Sequence, residues 1–119
     1  MIQIAKTDVS FDTKTEGDVQ ILTIGGQLDA FTVSDLKNEL KKITDARFSK
    51  IILSLAKVHY ANSTAIGAII ATAQQLRKRK GDLKICGMSD DIRKVFDLVG
   101  ASKILELFKT EQEALKSFS

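Results

Sequence analysis

The sequence predicts an α/β fold: a mixed β-sheet with antiparallel N-terminal strands and parallel central strands flanked by helices. Three observations carry this. Two β-prone runs flank Glu16-Gly17-Asp18, and further short apolar runs then alternate with apolar residues at helical spacing. Strands separated by helices pair in parallel through right-handed crossovers. The 119 residues, 44% of them apolar, suffice for one core and predict one domain over residues 1–119.

Val9, Phe11 and Thr13 alternate with polar residues, Glu16-Gly17-Asp18 supplies turn chemistry, and residues 19–24 are β-prone, which together predict a hairpin. Ile2 and Ile4 alternate too and predict an addition to an edge strand. Gly25-Gly26-Gln27-Leu28-Asp29 reads as a turn that redirects the chain, since it has neither the lysine nor the three spaced glycines of a phosphate loop. Thr32 and Asp35 stand at capping-box spacing, and Val33, Leu36, Leu40 and Ile43 follow with helical period, predicting a helix over residues 32–44. Residues 50–55 form a short apolar run that fits a strand buried on both faces.

Ile66, Ile69, Ile70, Ala73 and Leu76 make a helical stripe that ends by Gly81, with Gly67 expected to let that helix lie close to the sheet. Residues 83–86 are the next strand. Ser89 then opens a helix carrying Ile92, Val95, Phe96 and Val99 as far as Gly100. Residues 104–108 predict a last short strand, and Thr110 caps a terminal helix with Ala114, Leu115 and Phe118. Ile51, Leu53, Ile66, Ile69, Ile70 and Phe96 are expected to supply much of the core.

Composition narrows the function. Eighteen Lys and Arg are interleaved with fifteen Asp and Glu, and aromatics are 6%, which predicts no direct nucleic-acid partner. The run Arg77-Lys78-Arg79-Lys80 reads as a solvated helix end, where cations favour the negative end of the dipole. No apolar run is long enough to span a bilayer and no secretory pattern opens the chain, so the sequence predicts a cytoplasmic protein without a membrane partner. Cys86, the only cysteine, reads as a small buried hydrophobe. His59, the only histidine, has no acidic residue at a spacing that would orient it and reads as partly exposed. No catalytic residue, metal site or cofactor is expected.

Asn62-Ser63-Thr64 raises a sharper question, because three hydrogen-bonding residues separate two apolar segments. In the plainer reading Asn62 or Ser63 is the N-cap of the following helix. The functional reading notes that in open α/β sheets ligands and modifications gather where strands end and helices begin. If Asn62 is the cap, Ser63 opens the first turn, points to solvent and is reachable by a kinase.

Gly26-Gln-Leu-Asp29, residues 51–55, Tyr60-Ala-Asn-Ser-Thr-Ala-Ile-Gly67, Ile92-Arg-Lys-Val-Phe-Asp-Leu-Val-Gly100 and residues 110–115 occur in an order that resembles a STAS domain of the anti-sigma-factor antagonist family. The resemblance implies a STAS-like fold and a function without catalysis. Such an antagonist binds an anti-sigma factor that is also a serine kinase and so frees a sigma factor. The kinase uses ATP to phosphorylate one serine at the start of the second helix, which ends binding, and a serine phosphatase restores it. Ser63 matches that serine, and Asp29, Tyr60, Asn62, Ser63 and Thr64 are the expected partner-binding residues. Asn62 stands where the family usually has Asp, and Ala65 where it often has Gly. The alternative is a STAS interaction subunit of a signalling or lipid-transport assembly with no phosphorylation cycle, in which Ser63 only caps.

Overall fold

The two-residue turn Gly17-Asp18, with Gly17 at φ +62°, closes a hairpin between β1 (Val9–Glu16) and β2 (Val19–Leu28). The computed structural model describes residues 9–119. After the hairpin come α1 (Val33–Asp45), β3 (Lys50–Ala61), α2 (Ser63–Arg77), β4 (Asp82–Cys86), α3 (Asp90–Leu98), a 3-10 turn (Ala101–Lys103), β5 (Glu106–Phe108) and α4 (Glu111–Ser117). The five strands form one sheet in the order β1-β2-β3-β4-β5; β1 runs antiparallel to β2, and every other pair is parallel. This is the predicted α/β architecture. Ile2 and Ile4 lie outside the described residues.

Side chains alternate across a strand, and the two faces of this sheet bury different sets. Leu22, Ile24, Ile51, Leu53, Leu83 and Ile85 meet Leu36, Leu40, Ile66, Ile69, Ile92 and Phe96 from α1, α2 and α3 in the main core. On the other face Val19, Ile21, Ile52 and Cys86 meet Ala114 of α4, with Phe108, Leu115 and Phe118 packed around them. Burial pushes the Cys86 thiol up, against a Ser54 hydrogen bond that acts the other way, so it stays a neutral thiol at neutral pH. Lys84 is also buried on this face. Its Nζ donates to the Ser117 hydroxyl at 2.7 Å and carbonyl at 3.1 Å and lies 4.3 Å from the Phe118 ring centre, which ties α4 to the sheet.

Several expectations change for physical reasons. Gly25 and Gly26 lie inside β2 rather than in a turn: a Cβ at Gly25 would come within 2.7 Å of Ser10 Oγ on β1, and Gly26 holds φ +95°. β3 extends to Ala61, well past residue 55. Its far half hides from pattern reading because it carries two extra residues opposite β2: Thr23 to Gly25 faces Ser54 to Lys57, and Gly26 to Gln27 faces Val58 to Tyr60. Thr32 occupies the N-cap position of α1 yet makes no capping bond, so the Thr32–Asp35 capping box does not form. Ile70 and Val95 sit half-buried at the core's margin, and Val99 is exposed.

Gly67 does not bring α2 closer to the sheet. It is exposed, and a Cβ there would meet nothing within 4 Å. Close approach happens instead at Gly81, where a Cβ would overlap the Ser49 carbonyl. Ile69 is fully buried between α2 and the sheet, so Ile69→Ala is expected to cost about 2–5 kcal/mol in denaturant unfolding. A loss below about 0.5 kcal/mol would place Ile69 outside the core.

Candidate functional site

The C-terminal edge of the parallel strands is assembled by two turns that share a hydrogen bond. Leu28 ends β2 opposite Ala61 at the end of β3. The Asn62 N–H then donates to the Leu28 carbonyl at 2.9 Å, which fixes the start of α2 beside the Asp29 turn. Asn62 is extended (φ −92°, ψ 169°), and its Oδ1 accepts from the Ala65 N–H at 2.8 Å, a side-chain N-cap. Its carbonyl accepts from the Ile66 N–H.

Asn62 therefore does the capping, and Ser63 does not. Ser63 and Thr64 are both exposed, and neither hydroxyl has a hydrogen bond among the described residues. Their two backbone N–H groups likewise lack acceptors there, as expected for the first turn of a helix. The first turn of α2 carries no acidic residue, whereas Asp35 stands in that of α1, Asp90 and Asp91 in that of α3, and Glu111 and Glu113 in that of α4. The positive end of the α2 dipole is left uncompensated by any neighbouring carboxylate of its own turn.

Asp29 builds the adjoining loop. Its carboxylate accepts from the Phe31 N–H at 2.9 Å and the Thr32 N–H at 3.1 Å, and its N–H donates to Thr32 Oγ1 at 2.9 Å. Buried Thr32 in turn donates to the Gln27 carbonyl at 2.7 Å. This lattice explains why Thr32 is not a cap, since its hydroxyl is already committed to β2. It also holds the Phe31 ring outward at 78% exposed. Sequence reasoning missed Phe31, because a lone aromatic in a short connection looks like core until the loop geometry is known.

Tyr60 is half exposed on β3, opposite Gln27, and His59 is one of the two extra residues. The bulges set their direction: Ala56 and Lys57 are exposed, Val58 buried, His59 and Tyr60 exposed, Ala61 buried, where strict alternation would have put every second residue inside. The edge thus brings together Asp29, Tyr60, Asn62, Ser63 and Thr64, with Phe31 added and Asp29 acting from within the turn. Among the described residues no group of three or more His, Cys, Asp or Glu is placed to hold a metal, and no helix is long and apolar enough to cross a membrane.

The order of elements and the mixed sheet coincide with a known module. Residues 10–114 match the STAS domain. The chain belongs to the STAS domain family. The anti-sigma-B factor antagonist of Staphylococcus epidermidis is 28% identical over 100 residues, covering 84% of this chain and 93% of that protein. An anti-sigma factor antagonist from Mycobacterium paratuberculosis superposes with a TM-score of 0.86 at 18% identity, over 98% of this chain and 97% of the other. The Bacillus cell fate determinant SpoIIAA in its phosphorylated form gives a TM-score of 0.70 at 19% identity, over 92% and 100% of the two chains.

Two substitutions separate the roles within this STAS domain. Asn62→Ala removes the only side chain that caps α2 and is expected to cost about 1 kcal/mol, while Ser63→Ala removes no bond and should change stability by less than about 0.5 kcal/mol. Denaturant unfolding of both variants checks the pair. Gly67→Ala fills open space on an exposed helical turn and should stabilise by about 0.5–1 kcal/mol in the same assay.

Proposed function

We propose that this chain is an anti-sigma-factor antagonist: a cytoplasmic protein-binding switch, one domain over residues 1–119, that sequesters an anti-sigma factor with serine-kinase activity and so frees a sigma factor. Ser63 is the residue that the kinase modifies, and a serine phosphatase returns it to the binding form. The names of the relatives support the antagonist role. The observation that carries the switch is the division of labour at α2. With Asn62 supplying the cap, the Ser63 hydroxyl has no structural duty and is open to an enzyme.

The chemistry of a phosphate at this position favours a surface switch over unfolding. Phosphorylation adds about −1.5 to −2 charge. At the start of α2 that charge meets unsatisfied N–H groups, the positive dipole end and no first-turn carboxylate, so the folded domain accepts it. A partner seated on the same edge faces a different balance. A strongly hydrated dianion inside the interface carries a desolvation cost and repels any carboxylate of the partner. Tyr60 and Phe31, both exposed at the edge that carries Ser63, are the aromatic anchors that such a partner would cover, with Asn62, Thr64 and the Asp29 turn.

The test compares unmodified, Ser63-phosphorylated and Ser63→Ala protein in calorimetric binding to the anti-sigma partner and in thermal unfolding. Phosphorylation is expected to weaken binding by about 100-fold or more while the melting temperature moves by less than about 4 °C, and Ser63→Ala should bind constitutively. Equal affinity for the phosphorylated and unmodified forms would refute the switch and favour the subunit without a phosphorylation cycle. Tyr60→Ala should weaken partner binding by about 10-fold or more, and unchanged affinity would remove Tyr60 from the interface.

A further inference from the structure

The end of the sheet opposite Ser63 has a chemistry of its own. The chain leaves α1 through Arg47, leaves α2 through Lys78, Arg79 and Lys80, and closes the 3-10 turn after α3 with Lys103, all five of them exposed. Contacts join these segments: the Asp82 N–H donates to the Ser49 carbonyl at 2.9 Å, and Arg77 Nη2 donates to the Ile104 carbonyl at 2.7 Å. Of the acids at this end, Asp45 holds Lys41, Asp82 holds Arg77 and Asp97 holds Arg93, while Glu16 at the hairpin turn is outside any ion pair among the described residues. Among the described residues none of the five cations is in an ion pair.

Three aliphatic side chains stand out of the same end. Leu98 is 85% exposed, and Val99 and Ile104 flank the turn that follows it. At the opposite edge Asp35, Asp90 and Asp91 are outside any ion pair among the described residues. At the Ser63 edge these carboxylates stand with the unpaired cations Lys57 and Lys109, whereas five unpaired cations and the exposed aliphatics gather at the far end.

We propose that this basic, aliphatic end docks on an anionic lipid surface, Leu98 entering the headgroup boundary and the Ser63 edge facing away from the bilayer. Clustered Lys and Arg are attracted to anionic leaflets within a Debye length, and an exposed leucine gains by leaving water. Cations from three separate segments, together with the aliphatics at the end of α3, present a mixed basic and apolar end that suits an anionic lipid surface. A nucleic acid would use the cations but leave the aliphatics in water, and no exposed aromatic stands at this end to stack on bases. The sequence-based expectation of no membrane partner rests on the lack of a spanning segment, and lying on a bilayer is a different mode of contact. The linear run of residues 77–80 reads as a solvated helix end because only folding adds Arg47, Lys103 and the three aliphatics to it.

Flotation of the full chain with vesicles tests this. The protein should float with phosphatidylcholine–phosphatidylglycerol vesicles, stay behind with pure phosphatidylcholine, and be released by added salt. Arg79→Glu should lower the bound fraction about 10-fold and Leu98→Ser several-fold, while Lys57→Glu, the same charge change at the other edge, should leave it within about 2-fold. No flotation with the anionic vesicles would overturn the proposal. Equal losses in Lys57→Glu and Arg79→Glu would overturn it as well, by reducing the effect to net charge. Displacement by duplex DNA combined with indifference to Leu98→Ser would assign the end to nucleic acid instead.

Discussion

The contact on which the site depends is a pair of hydrogen bonds made by one residue. Asn62 donates its N–H to the last residue of β2 and accepts, through Oδ1, from the third residue of α2. The first bond sets the helix against the sheet, and the second closes the helix without help from Ser63. Everything at the edge follows from that geometry. Ser63 and Thr64 are turned to solvent, their N–H groups remain unsatisfied, and the Asp29 turn with its outward Phe31 lies alongside. A neutral cap also matters electrostatically. Asparagine satisfies the same N–H as aspartate would, yet adds no carboxylate beside the Ser63 hydroxyl.

The parallel sheet converts this local arrangement into a polarised molecule. Because β2, β3 and β4 run the same way, the starts of α1, α2 and α3 gather at one edge and their ends at the other. Acidic residues in first turns and basic residues at helix ends are each locally favourable against the dipole. Among these three helices α1 follows the habit at both ends, α3 only at its start and α2 only at its end. Only α2 breaks it at its start, and that start is where Ser63 lies.

The alternation of elements was legible in the sequence because helical spacing and β-prone runs are strong local signals, and the caps at Ser89 and Thr110 were readable from residue type, whereas the choice between Asn62 and Ser63 needed the folded geometry. What escaped was set by contacts across strands. The glycine pair at 25 and 26 read as a turn because its reasons, the Ser10 hydroxyl on β1 and a positive φ, belong to the folded sheet. The second half of β3 was hidden by two bulges that destroy period-two patterning. Thr32 looked like a cap from spacing alone, but Gln27 and Asp29 claim its hydroxyl. Phe31 and Leu98 carry no linear mark that separates an exposed apolar residue from a buried one.

The central claim is that Asn62 holds α2 while Ser63 is structurally free. Amide hydrogen exchange at Ala65, whose N–H meets Asn62 Oδ1, tests it most directly when compared among the unsubstituted protein, Ser63→Ala and Asn62→Ala. Protection at Ala65 is expected to survive in Ser63→Ala and to fall in Asn62→Ala. Loss of protection in Ser63→Ala, with Asn62→Ala unaffected, would make Ser63 the cap and contradict the account.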